Sequence, residues 1–222
     1  MKPIHIIAVG KFGLEVATQI EKRVGHTVVT EMPERLPLLP SDRFPVARLH
    51  ILASWKPVSS LSKMMDNLSF AWNVPWIPIV LNHPQLQIGP VVTPKEGPCF
   101  HCYEKRVLQH SPFPGHIHAM HHYYDQTPTA GPKGYVRAFA GWSASHILYI
   151  DSILTIGDED VSGCLWQMDV LTRESCRSLV VGVHGCPRCG LGRSEKDRSV
   201  DQLMIDMERV SEYARVKEEV LN

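Results

Sequence analysis

Ile4-His5-Ile6-Ile7-Ala8-Val9-Gly10-Lys11-Phe12-Gly13 is the stretch on which the fold turns. Its first six residues are the β-rich apolar run that a parallel strand buries on both faces. Gly10 to Gly13 makes a turn, and Leu14, Val16, Ala17, Ile20 and Val24 follow at helical spacing. The pattern then repeats. Thr27 to Thr30 reads as a second strand and Val46 to Trp55 holds a third. A helix is expected over Ser59 to Trp72, with Leu61, Met64, Met65, Leu68 and Ala71 on one face, before a fourth strand at Trp76 to Leu81. Strands alternating with helices predict an α/β fold with a Rossmann-like, mostly parallel sheet.

Further along, Ile88 to Val92 is expected as another strand, and a helix runs from near Cys102 to Gln109. Ser111 to Lys133 is rich in His, Pro and Gly, lacks clear periodicity and reads as a long exposed loop. Val136 to Ile156 returns to helix. Gly163 to Asp169 and Ser178 to Val183 suit two antiparallel strands joined through Leu171 to Ser175. Gly192 to Ser199 is a polar linker, and Leu203, Met207, Val210 and Ala214 form a narrow stripe on a last amphipathic helix. The organisation is one α/β domain over 1–192, then a linker and C-terminal helix over 193–222.

Two Cys-x-x-Cys pairs carry the clearest chemistry: Cys99-Phe100-His101-Cys102 and Cys186-Pro187-Arg188-Cys189. Two such pairs supply four thiolates to a closed tetrahedral zinc site, a zinc knob. Four sulfurs leave no open position for water, so this zinc is structural. Two disulfides or a redox motif are the alternatives, and nothing else in the chain looks secreted or thioredoxin-like. Cys164 and Cys176 sit among strand-like residues and read as small buried hydrophobes.

Composition narrows the function classes. Lys+Arg and Asp+Glu both total 23, a balance that argues against general electrostatic binding to nucleic acid or anionic membrane. No apolar run is long enough to span a bilayer, and the first residues lack a signal-peptide core. A cytoplasmic location follows, where paired cysteines hold metal more often than they form disulfides.

The remaining candidates are weaker. Gly10, Lys11 and Gly13 occupy the phosphate-binding turn of doubly wound folds, but they make only part of the Gly-x-Gly-x-x-Gly fingerprint. Glu31, after the second strand, is either a ribose-binding acid or a solvated strand end. His110, His116, His118, His121 and His122 crowd one segment, as transition-metal ligands, proton carriers or a solvated polar surface. Trp55, Trp72 and Trp76 fill the core or mark a partner surface. The chain has no Ser-His-Asp nucleophile elbow, P-loop or zincin motif.

The order of these features resembles a family. Gly89-Pro90-Val91-Val92-Thr93-Pro94, Gly97-Pro98-Cys99-Phe100-His101-Cys102 and Cys186-Pro187-Arg188-Cys189-Gly190 follow a Rossmann-like half. This is similar to the ubiquitin-activating (E1)-like, ThiF-type superfamily. Within it the chain looks closest to the E1-like partner ("cyclodehydratase") proteins of thiazole/oxazole-modified peptide biosynthesis, which are ribosomally made peptides modified after translation. The resemblance covers about residues 1 to 192. It implies a homodimer, a structural zinc, a precursor peptide as ligand and an ATP-using YcaO-type enzyme as partner. Adenylating members carry a complete glycine loop and a magnesium-holding acid pair after the central strand. Here Ala53-Ser54-Trp55-Lys56 stands at that place, and Asp66 comes a helix later. The departure implies a non-catalytic scaffold that does not use ATP. The rivals are an ATP-dependent adenylating enzyme using Gly10, Lys11 and Gly13, and a zinc-stabilised protein-interaction module. The winged-helix region with which such partners grip a leader peptide is not in this sequence, so the expectation is that leader binding lies on a separate protein or that this chain is a truncated relative.

Overall fold

A computed structural model describes residues 2–32, 41–156 and 161–190, together with Met204, Met207 and Glu208. Ile4–Val9 forms β1 and Gly10–Glu21 forms α1 directly behind it. Thr27–Met32 is β2, Leu49–Ser54 is β3, Ser59–Trp72 is α2 and Trp76–Asn82 is β4. Gln85–Ile88 is β5, followed by α3 (Phe100–His110), α4 (Pro114–Gln126) and α5 (Arg137–Ile156). Cys164–Asp169 and Ser175–Leu179 form β6 and β7.

The strands build one seven-stranded sheet in the order β2-β1-β3-β4-β5-β6-β7. β1 to β4 run parallel, with His5 opposite His50 and Ile51 opposite Ile77. β5, β6 and β7 continue the sheet antiparallel. The expected α/β architecture holds, and β1 and β3 are buried along their whole length, as strands covered on both faces must be.

Period-two alternation sorts the two cores. Ile4, Ile6, Leu49 and Ile51 pack with Phe12, Val16 and Ile20 of α1 and with Ala144, Ile147 and Ile150 of α5. Ile7, Val9 and Leu52 face the other way, onto Met65 of α2, Trp76 and Phe100. α5 carries small residues among its buried positions, Ala140, Ser143 and Ala144, and packs beside α1.

Several boundaries differ from the sequence reading. Ser111 to Lys133 is not one loop, because α4 occupies Pro114–Gln126, starting at a proline pre-set for a first helical turn. No α4 residue is buried, which is why its apolar periodicity was weak. Ile88 to Val92 is not a continuous strand: β5 ends at Ile88, and Gly89, at φ +100, lets the chain pass so close to Cys164 O that a Cβ would lie 2.5 Å from it. β7 begins at Ser175, within the expected connection, since the turn closes earlier through Asp169, whose side chain accepts from the N–H groups of Leu171 and Thr172. The inner face of α2 is Ser59, Ser62, Met65, Asp66 and Ser69, while Leu61, Met64 and Leu68 are half-buried and Ala71 is exposed. Cys164 is buried, but Cys176 is exposed on the outermost strand. Trp55 and Trp76 are core residues, whereas Trp72 is 39% exposed. The expected linker and C-terminal helix lie outside the described residues, apart from exposed Met204, Met207 and Glu208.

Candidate functional site

The first cysteine pair starts α3. Cys99 sits in extended backbone just before the helix, and Cys102 lies in its first turn, its N–H donating to Cys99 O at 3.0 Å. The second pair closes a turn in which Gly190 N donates to Cys186 O at 2.8 Å. A Cβ at Gly190 would lie 2.4 Å from that oxygen, so only glycine fits.

The two turns meet. Cys99 and Cys102 Sγ are 3.8 Å apart, Cys99 and Cys186 3.7 Å, and Cys102 and Cys189 3.5 Å. All four sulfurs fall within 4.8 Å of one another, and all four residues are buried. A tetrahedron with metal–sulfur bonds of about 2.3 Å has edges of about 3.8 Å, so the donor set fits zinc. Disulfide sulfurs would stand at about 2.05 Å, far closer than any pair here. The main-chain N–H of Val183 also donates to Cys102 Sγ at 3.3 Å. Bonding to Cys102 and Cys99 pulls the Cys189 thiol down to about 3, while bonding to Cys102 and Cys189 pushes Cys99 up. A divalent metal is the group that lets four clustered thiols ionise together.

A buried carboxylate ties this cluster to the domain. Asp66, inside α2, accepts from Arg188 Nε at 3.2 Å, from the N–H of Phe100 at 3.3 Å and from Trp76 Nε1 at 3.4 Å. Arg188 lies between the second pair of cysteines and also donates to Asn67 Oδ1. Burial raises the Asp66 carboxyl above its usual range, and the Arg188 guanidinium partly offsets the rise. Asp66 lies a helix beyond the place of a magnesium-holding acid pair, and its role in the fold shows only in the structure, where it shares the buried face of α2 with Ser62 and Ser69.

The turn after β1 is closed. Gly10 takes φ +68, and a Cβ there would lie 2.4 Å from Trp55 Cδ1. Trp55 is 3% exposed, so its indole covers the glycine. Gly13 serves packing, since a Cβ would lie 2.4 Å from Ala53 O. Lys11 is exposed, and its carbonyl accepts from Tyr135 Oη. Lys56, 3% exposed, donates to Tyr124 O, Thr127 O and Ala130 O at 3.1–3.2 Å and lies against the rings of Trp55 and Tyr124. This draws the α4–α5 connection over the carboxyl ends of β1 and β3, where doubly wound folds bind ligands. Glu31 is exposed on β2.

The crowded histidines sit on α3 and α4 rather than in a loop. Burial lowers His121, and Asp125 beside it works in the opposite direction. Among the described residues the four cysteines are the one group with metal-ligand spacing. Two other histidines, which sequence reading passed over as strand residues, meet inside the sheet: His5 Nδ1 lies 2.9 Å from His50 Nδ1, and His5 Nε2 lies 2.8 Å from Thr30 Oγ1.

No protein-family model matches the chain, and no curated protein matches it. Solved structures share its fold. The heterocyclase TruD superposes with a TM-score of 0.61 at 16% identity, over 85% of this chain and 27% of that one. The microcin synthetase McbBCD complex of E. coli gives 0.61 at 18% identity, over 83% of this chain and 67% of that one. MccB of E. coli with ATP gives 0.57 at 13% identity, over 85% and 67%. The chain spans about a quarter of the heterocyclases it matches, 25% and 27% of their lengths. At these identities the likeness is one of fold. No described helix is long and apolar enough to cross a membrane.

Proposed function

We propose that this chain is a non-catalytic, E1-like partner in the biosynthesis of a ribosomally made, post-translationally modified peptide. It presents the precursor to an ATP-using YcaO-type cyclodehydratase. The observation that carries the reading is the pairing of a heterocyclase-like fold with a covered β1–α1 turn: Trp55 stands against Gly10, where an adenylating enzyme would need open backbone for phosphate. Cys99, Cys102, Cys186 and Cys189 hold a structural zinc in this reading, and their thiolates suit the reducing cytoplasm. Zinc supplies no reactive position there; it clips α3 to the segment after β7. The working unit is a homodimer.

The test is reconstitution. The purified chain, a YcaO-type enzyme and a precursor rich in Cys, Ser or Thr should together yield peptide that has lost one water per ring, with ATP consumed only when the YcaO-type enzyme is present. ATP turnover by this chain alone would refute the reading. The likeness to MccB solved with ATP favours a second reading, adenylation of a peptide using Gly10, Lys11 and Gly13. Calorimetry with ATP and magnesium separates the two: micromolar affinity supports adenylation, and no heat of binding supports the scaffold.

A further inference from the structure

We infer that α4 and the α4–α5 connection form a strap that opens as one unit, and that Lys56 and Asp125 are its two latches. The strap closes the crevice at the carboxyl ends of β1 and β3 by default, so access to that crevice requires its release. This is a property of the chain's own conformation and does not depend on the scaffold reading above.

The latches are reciprocal. Pro128 has no N–H to return to Tyr124 O, four residues earlier, and α4 ends at Gln126. Lys56 supplies donors there: its Nζ reaches Tyr124 O at 3.2 Å and Thr127 O and Ala130 O at 3.1 Å. A cation at this place also suits the negative end of the α4 dipole. The opposite charge travels the other way. Asp125 of α4 accepts from Ser60 N at 3.2 Å and from Ser60 Oγ at 2.6 Å, in the first turn of α2, where N–H groups lack helical partners. The β3–α2 turn thus sends a cation to the end of α4, and α4 sends an anion to the start of α2.

These polar contacts hold an element that has little core beneath it. α4 buries no residue, whereas α5 buries six and belongs to the main core. Phe113 is 62% exposed and Tyr123 55%, so these aromatic residues add little burial to the strap. Elements with few buried apolar groups are the ones that open below the threshold of global unfolding. The ends of the strap are built to turn. Ser111-Pro112-Phe113 precedes the helix, and Gly131-Pro132-Lys133-Gly134 follows it, with Gly131 at φ +114, a conformation that favours glycine.

The strap lies on Trp55. A Cβ on Gly131 would stand 3.0 Å from Trp55 Cζ3, so the connection meets the benzene ring of the indole, while Gly10 meets its pyrrole ring. Lys56 Nζ lies 5.1 Å from the centre of the same indole. Lifting the strap leaves Trp55 and Lys56 on the floor of the crevice.

Native-state hydrogen exchange on the full chain tests the unit, with Lys56→Met and Asp125→Ala. Methionine keeps an apolar stem against Trp55 and removes the ammonium. Asp125 is exposed, so its replacement spares the core and keeps the test open should Lys56→Met fail to fold. Each variant alone should speed exchange at least about tenfold at Thr127 and Ala130, whose N–H groups bond within the strap, and by the same factor along α4. Amides of α1 and α5 should stay within about twofold of the wild type, with zinc content unchanged. In fluorotryptophan-labelled protein, the fluorine resonance of Trp55, assigned with Trp55→Phe, should show a larger solvent isotope shift in both variants. Exchange that quickens at 127–130 only in Lys56→Met, and at Ser60 only in Asp125→Ala, overturns the inference, because the two contacts are then separate and local. Equal acceleration in α5 overturns it as well, since the contacts then support the whole fold, and so does no acceleration in either variant. Ring formation in the reconstituted system tests the scaffold reading, so the two fail independently.

Discussion

Replacing Asp66 by alanine removes the link between the cysteine cluster and the sheet. Asp66 is 4% exposed and serves three donors. Trp76 is fully buried and Phe100 nearly so, so both N–H groups would lose their partner without gaining water. A buried donor left unpaired costs about 1–3 kcal/mol, and bonds of 3.3–3.4 Å sit near the weak end, about 1 kcal/mol each. The Arg188 contact, with its guanidinium side chain 27% exposed, adds roughly 1 kcal/mol. Removing a carboxylate that burial already disfavours returns part of this loss. The net loss is about 2 kcal/mol, or a melting temperature lower by about 4–8 °C for a chain of this size. Differential scanning fluorimetry reads the shift, and a zinc-release assay with a colorimetric chelator reads the second consequence, faster metal loss as Arg188 loses its anchor. Asp66→Asn keeps an acceptor for the two neutral donors and should lose about half as much. The Asp66→Ala, Arg188→Ala double mutant should fall short of additivity by about 0.5–1 kcal/mol. A melting temperature unchanged for Asp66→Ala, or strict additivity with Arg188→Ala, would show that the carboxylate does not couple the two parts.

Cys186→Ser should lower zinc content by elemental analysis and melting temperature together, because the metal joins segments either side of residues 103–185; full metal occupancy with unchanged stability would sink the assignment. His5 and His50 should make the fold acid-sensitive. Burial lowers both, His50 to about 4 and His5 to about 3, the latter with help from the neighbouring His50 charge. Their contribution is present above pH 6.5 and is lost as pH falls toward those values, because the unfolded chain binds the two protons first. The slope approaches about 2.7 kcal/mol per pH unit when both protons are counted, and urea titrations from pH 7 to 5 on the wild type and His50→Gln would show a shallower slope in the variant. Hydrogen exchange should find α4 amides exchanging faster than those of α5, since α4 buries no residue while α5 buries six; equal protection of the two helices would contradict this.

Elements whose signal is local could be read from the residues alone. β1, α1, β3 and β4 were legible because strands buried on both faces are continuously apolar and α1 repeats its apolar residues at 3.6. The cysteine cluster was legible because each half of a four-thiolate site must come from one tight turn, which leaves a spacing in the chain. α4 was not, since a helix that packs no face against a core leaves no periodicity to find. Other features arise from contacts between segments far apart in the chain. Asp66 and Arg188 are 122 residues apart, and nothing local marks either as the other's partner. Trp55 covers Gly10 only because β3 lies beside β1, which brings the end of one strand over the turn of the next.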